Sequence, residues 1–173
     1  ICVPGAVRGY QAMLERWGTC SWEQAILPAA RIAEEGFVVD TNLADGWSRE
    51  APYPEACSLL DYVKGNAAAS RIYLKDGHTP YKAGERLRNP DLGQTLRRLA
   101  QDGPDDFYLG ALARRISDDL AANGSFVTSA DLAGYQPRDP QPVTGAYRGY
   151  TIVSSQAPHG GPTLVEIFNI LEN

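Results

Sequence analysis

The residues best placed to do chemistry close the chain. Ala157-Pro158-His159-Gly160-Gly161 leads directly into an apolar helical pattern, Leu164, Ile167, Phe168 and Leu171. Free backbone N–H groups at a helix start can hold an anion or an oxyanion. Glycines there let a ligand, or another strand, come close to the backbone. Two readings stand at this point. One is an anion-binding turn with His159 beside it. The other is a tight strand-to-helix turn packed against a neighbour, with His159 merely exposed.

Other chemistry-bearing residues form no self-sufficient set. Glu34-Glu35, Asp105-Asp106 and Asp118-Asp119 are adjacent carboxylates. Neighbours on a helix point about 100° apart, so such pairs do not converge on one substrate, and a solvated helix face is expected for all three. Arg97-Arg98 and Arg114-Arg115 fall in helix C-terminal halves, where positive charge is favoured. His78 and His159 are the only two histidines, too few for a zinc set of ordinary spacing. Cys2, Cys20 and Cys57 are too scattered for a disulfide framework and read as buried reduced thiols. There is no Gly-x-Ser-x-Gly elbow, no phosphate loop ending in Gly-Lys-Ser/Thr and no dinucleotide fingerprint. No cofactor is implied.

The elements that must position these residues follow from periodicity and caps. Val7, Tyr10, Leu14 and Trp17 make one helix face, ended by Gly18. Ser21 with Gln24 is a capping box that starts a second helix, ended by Gly36, with a kink or break expected at Pro28. Asp40 caps a third helix through about Trp47. The run from Ala51 to Ser58 reads as a loop through its two prolines. Asp76-Gly77 between short β-prone runs marks a tight turn or hairpin. Asn89-Pro90 opens a helix striped by Leu92, Leu96 and Leu99 and closed by Gly103. Leu109, Leu112, Ile116 and Leu120 stripe the next, closed by Asn123-Gly124. Thr128 and Asp131 cap a short helix ending near Tyr135. Pro137, Pro140 and Pro142 then forbid helix, so an extended linker precedes a hairpin turning at Arg148-Gly149.

This order predicts an α+β protein. Residues 1–136 form a helical region, and 137–173 supply the proline linker, a β-hairpin and a last helix. The length of 173 residues suits one ordinary domain, and 43% hydrophobic with 21% charged residues suits a globular one. A net charge of −5 with interspersed signs argues against nucleic acid as partner. No apolar run reaches the roughly 20 residues of a membrane span. The start is not a signal peptide and lacks an initiator Met, and the end is a helical pattern without a stop signal. A processed or truncated chain is the expectation.

Five segments together carry a resemblance. "VPGAVRGYQAMLERWGT", "PAARIAEEGFVV", "NPDLGQTLRRLAQDGPDDFYLGALARRISDDLAANG", "VTSADLAGYQP" and "YRGYTIVSSQAPHGGPTLVEIFNILEN" resemble, in order and spacing, the large subunit of γ-glutamyltransferases (γ-glutamyltranspeptidases). That family is a branch of the N-terminal nucleophile hydrolases. The resemblance implies an αββα fold completed by segments outside this chain, and a precursor that cleaves itself into large and small subunits. It also implies a catalytic Thr at the start of the small subunit, with its own α-amine as base. The substrate would be a γ-glutamyl or other acyl amide, the partner the small subunit. Relatives that act on glutaryl or cephalosporin side chains make an acylase the alternative, beside a non-catalytic helical module of the same descent. A free-standing enzyme built around His159 is the third reading.

The family's Thr-Thr-His has no counterpart here, so no catalytic residue is assigned within the chain. Its substrate-carboxylate motif, Arg-Glu-x-Ala-Pro, lies upstream of Val-Pro-Gly. Arg49-Glu50-Ala51-Pro52 lies on the wrong side of Val3-Pro4-Gly5 and does not inherit that role. The family's Ser-Ser-Gly-Gly turn reads Pro158-His159-Gly160-Gly161, which makes these last three the candidate near-site residues. There the two glycines are expected to let the last strand and helix pack close to the small subunit without doing chemistry. The resemblance points to a periplasmic or secreted protein, and a cytoplasmic one is compatible with the sequence.

Overall fold

A computed structural model describes residues 2–49, 53 and 57–172. The architecture is α+β, and it divides into two compact units, Ile1–Tyr135 and Gln136–Asn173.

The first unit is helical. α1 (Ala6–Trp17) ends at Gly18, and α2 (Trp22–Glu35) starts in the Ser21/Gln24 capping box, with both reciprocal hydrogen bonds present. Pro28 does not break α2, which runs on to Glu35. The turn ahead of Pro28 is fixed by that box, and α6 (Pro90–Asp102) packs along the helix. β1 (Phe37–Val38) precedes α3 (Thr41–Ser48), which is capped by Asp40 through the Leu43 N–H at 2.8 Å. The stretch read as a proline loop lies largely outside the described residues, as do Glu50, Ala51 and Pro52 of the Arg-Glu-Ala-Pro segment. Two short helices follow that periodicity did not predict, α4 (Leu59–Lys64) and α5 (Ala67–Tyr73). Arg71–Tyr73 is therefore helix end, not strand. β2 (Leu74–Lys75) and β3 (Thr79–Pro80) form the expected hairpin. Its three-residue turn, Asp76 to His78, places Asp76 at φ 53° and Gly77 at φ 75°, both in the left-handed region. β4 (Arg86–Leu87) pairs antiparallel with β1. α7 (Asp105–Tyr108), α8 (Ala111–Ala122) and α9 (Ser129–Ala133) complete the unit, with α9 capped by Thr128/Asp131.

The α2–α6 contact is the unit's closest helix pairing. Ala30 is fully buried, and a Cβ at Gly93 would strike the Glu34 side chain. The Trp22 indole N–H donates to the Leu99 carbonyl at 2.7 Å. Arg97 grips Glu34 through two hydrogen bonds of 2.6 Å, a bidentate pair that fixes helix register as well as contact. One cluster gathers Val39, Trp47, Val63, Leu74 and Leu87, another Ala113, Val127 and Leu132.

The beginning and the end of this unit meet. The Tyr108 hydroxyl donates to the Pro4 carbonyl at 2.8 Å and accepts from the Arg8 N–H at 3.2 Å. Tyr135 stacks on Tyr108, with ring centroids 5.8 Å apart. A Cβ at Gly5 would overlap the Tyr135 hydroxyl, so glycine is required there by close approach.

The second unit is a hairpin and a helix. β5 (Val143–Tyr147) and β6 (Tyr150–Ser154) pair antiparallel around Arg148 and Gly149, both at positive φ. α10 (Gly161–Glu172) packs on them. A Cβ at Gly145 would strike Val165, and the Tyr147 and Phe168 rings lie 4.8 Å apart. The Arg148 N–H donates to Glu172 at 2.8 Å.

The face of α10 turned to the hairpin is thus Gly161, Val165, Phe168 and Glu172, spaced four, three and four. This differs from the stripe of Leu164, Ile167, Phe168 and Leu171. Only Phe168 of that set faces the strands; Leu164, Ile167 and Leu171 stay exposed. The helix is apolar on two sides, and periodicity alone does not say which side a neighbour takes.

Candidate functional site

The turn from Ser155 to Gly160 joins β6 to α10. The His159 N–H closes it on the Gln156 carbonyl at 3.0 Å, and the first intrahelical bond runs from Leu164 N–H to the Gly160 carbonyl at 2.9 Å. That bond makes Gly160 the cap and leaves the N–H groups of Gly161 and Thr163 ahead of it in the first turn. Pro162 contributes none, so this helix start offers fewer donors than an ordinary one. His159 is exposed at the turn's surface.

The two glycines differ. Gly161 is buried, and a Cβ there would overlap the carbonyl oxygen of Ser155. Gly160 is exposed, and a Cβ there would meet nothing within 4 Å. Within this chain the need for glycine lies at Gly161, where strand end and helix start touch. His78, the other histidine, sits exposed at the β2–β3 turn of the helical unit. Among the described residues no group of three or more His, Cys, Asp or Glu could hold a metal ion. No helix among them is long and apolar enough to cross a membrane.

The cysteines are not buried. Cys2, Cys20 and Cys57 are free and exposed, because each falls in a connecting segment, before α1, between α1 and α2, and before α4. The adjacent carboxylates divide. Asp118 and Asp119 are exposed, as a solvated face requires. Asp106 is not: it is 8% exposed and accepts from Arg98 Nε at 2.5 Å, Arg98 Nη2 at 3.1 Å and the Ala111 N–H at 2.8 Å. It is the cap of α8, reaching forward from α7. The Arg98 guanidinium, helped by the N–H groups of Leu112 and Ala111, holds its carboxyl below the ordinary range against the opposing effect of burial. Glu34 is likewise half-buried, and the Arg97 hydrogen bonds lower its pKa. Tyr108 moves the other way: burial pushes its phenol up, beyond what the Arg8 N–H hydrogen bond offsets. Sequence reasoning missed Asp106 because its role is set by a loop, Leu109-Gly110, that returns the chain over it. A Cβ at Gly110 would overlap that carboxylate, and a glycine four residues after a buried Asp is the one local trace of it.

These groups hold elements together, and none forms a nucleophile–base pair with a third orienting residue. What the chain offers chemistry is a positioned turn and helix start.

The comparisons with known proteins agree in one direction. The family model described as gamma-glutamyltranspeptidase matches residues 1–173. The chain is 34% identical over 171 residues to a glutathione hydrolase proenzyme of Escherichia coli (strain K12), covering 98% of this chain and 28% of that protein. It is 35% identical over 176 residues to an acylase ACY 1 proenzyme of Pseudomonas sp. (strain SE83), covering 99% of this chain and 29% of that protein. Among solved structures, that of the Helicobacter pylori gamma-glutamyltranspeptidase is similar with a TM-score of 0.87 at 33% identity, over 98% of this chain and 46% of that one. The chain therefore spans well under half the length of these curated relatives.

Proposed function

Since the chain belongs to the γ-glutamyltranspeptidase family, we propose that it is a large-subunit segment of an enzyme that transfers or hydrolyses γ-glutamyl groups. The observation that carries this reading is the match over all 173 residues, with the fold in register. The nucleophile is a Thr supplied by sequence outside this chain. Its hydroxyl attacks the γ-amide carbonyl of glutathione or a related compound, and its own α-amine takes the proton. The amine half of the substrate leaves, and water or an amino acceptor resolves the acyl-enzyme.

In this reading the chain positions and does not react. The partner is the small subunit of the same precursor. The outer edges of β5 and β6 and the exposed Leu164, Ile167, Ile170 and Leu171 of α10 meet that subunit's sheet, which removes an open strand edge and an apolar surface together. His159, Gly160 and Gly161 lie near the active site as a shaped turn. His159 stands where the family has Ser, which bears on substrate preference.

The likeness to the acylase proenzyme favours a second reading, an acylase acting on glutaryl or cephalosporin side chains. A γ-glutamyl group carries an α-amine and a glutaryl group does not. A site built to bind that ammonium discriminates strongly against an analogue lacking it.

Denaturing mass spectrometry of the purified protein tests the first step. Two chains, the smaller beginning with Thr and the larger containing this sequence, are expected. Turnover of a γ-glutamyl anilide in preference to a glutaryl anilide then supports transfer or hydrolysis of γ-glutamyl groups, and the reverse preference supports the acylase. A single 18.8 kDa species would overturn both and leave a non-catalytic helical module.

A further inference from the structure

The helical unit carries an apolar groove that its own core does not close. It has a volume of about 630 Å³ and runs between α1, α2 and α6. Val7, Tyr10, Leu14 and Trp17 form one wall, opposite Ile26 of α2 and Leu96 of α6. These α1 residues are the stripe that the sequence pattern assigns to a core, yet no residue of α1 is buried. Trp17 is 73% exposed and Tyr10 58%. A second cavity, of about 390 Å³, continues along the same face of the α2–α6 pair past Ile32, Ala33 and Leu92 and shares Ala29 and Leu96 with the first. Among the described residues no charged side chain lines either one.

The lining decides what the groove takes. Sites for small ligands combine an apolar wall with a few polar groups that fix orientation. Here the Trp22 indole N–H is already spent on the Leu99 carbonyl, and no charged or amide side chain lines the α1 side. Among the described residues the Tyr10 hydroxyl is the one side-chain polar group left there, too little to orient a diffusible ligand. An uncharged face of this length is what one layer of a domain presents to the next. The relatives supply the material for such a layer, because this chain spans only 28% of the E. coli protein and 46% of the H. pylori chain.

We propose that the groove along α1, α2 and α6 is an internal seam, filled by an apolar layer of the same polypeptide from sequence flanking this chain. The inference rests on the reading of this chain as a segment of a longer protein. It adds that the helical unit, as well as the hairpin unit, is completed by the remainder.

Met13, the chain's only methionine, lines the groove and is 49% exposed, so it reports on the seam directly. The full-length protein is treated with hydrogen peroxide. Oxidation of Met13 is followed in the tryptic peptide of residues 9–16, against N-acetylmethionine in the same tube. Occupation of the groove by flanking sequence slows Met13 at least about tenfold, because thioether oxidation follows exposure. That protection persists on dilution to the lone mature molecule and after extensive gel filtration. Oxidation near the free rate overturns the proposal. Protection lost on dilution assigns the groove to a second copy, protection lost on gel filtration assigns it to a diffusible molecule, and either result overturns it. Turnover of γ-glutamyl anilide, measured on the same sample, separates this from the proposed function. An active protein with a reactive Met13 sinks the seam alone, and an inactive one with a protected Met13 sinks the activity alone.

Discussion

Replacing Asp106 by Ala should destabilise the helical unit, and the structure sets the size. The carboxylate caps α8 through the Ala111 N–H, and a lost cap costs about 1 kcal/mol. It also accepts two charge-assisted bonds from Arg98, and a buried acceptor of this kind contributes about 1.5 kcal/mol at the low end. The low end applies because the Arg98 side chain is 39% exposed. Together these give about 2–3 kcal/mol. With a urea slope of about 2 kcal/mol per molar, the unfolding midpoint falls by about 1–1.5 M. Asp106→Asn keeps an acceptor for the cap but not the charge, so it should fall between the two. The pH dependence has a fixed sign. Arg98 lowers the native pKa of Asp106 below its unfolded value, so the stabilisation is full above about pH 4 and is lost as pH falls through the native pKa. Circular dichroism at 222 nm in urea, at pH 7 and pH 3, measures both effects. An Ala variant within about 0.2 M of the parent at pH 7, or a gap that is undiminished at pH 3, would refute the reasoning. Arg98→Met and the double variant show whether the pair acts as a unit, because coupled residues give non-additive losses.

Three further outcomes are expected. Gly161→Ala should loosen the docking of α10 on its hairpin, since its Cβ meets the Ser155 carbonyl, whereas Gly160→Ala should not; faster amide exchange across residues 143–154 in the first variant alone would show it. Tyr108→Phe strands the Pro4 carbonyl and the Arg8 N–H and should lower stability by about 1–2 kcal/mol, read as a shifted urea midpoint. The isolated 173-residue chain should self-associate through its exposed apolar faces, and a monodisperse, cooperatively melting monomer in analytical ultracentrifugation would contradict this.

Local signals were the readable part of this fold. Caps at Ser21, Asp40, Asn89 and Thr128 satisfy backbone donors within three residues, so their partners stand next to them in the text. The Asp76-Gly77 and Arg148-Gly149 turns follow from the same short range. α4 and α5 escaped because six or seven residues are too few to show a 3.6-residue period. Ser58 with Asp61 and Asn66 ahead of Ala69 carried the capping chemistry nonetheless. The passage through Pro28 and the side of α10 that meets the hairpin depend on neighbours distant in sequence. For the candidate site, sequence located the turn, and the backbone then assigned the two glycines different tasks. Burial of Asp106 was illegible for the same reason as the helix faces, since Arg98 and Ala111 reach it from separate helices.

The meeting of Pro4, Gly5, Tyr108 and Tyr135 turns a linear stretch of chain into a closed ring. Its clasp joins residues about 130 positions apart, which places it among the contacts with the greatest loop-closure cost. A ring with adjacent ends can be cut elsewhere and rejoined at the clasp, or spliced into a host protein through a single point of attachment. Taken together with the apolar layer that fills its groove, the helical unit is thereby suited to be a cassette, exchanged or permuted as a whole.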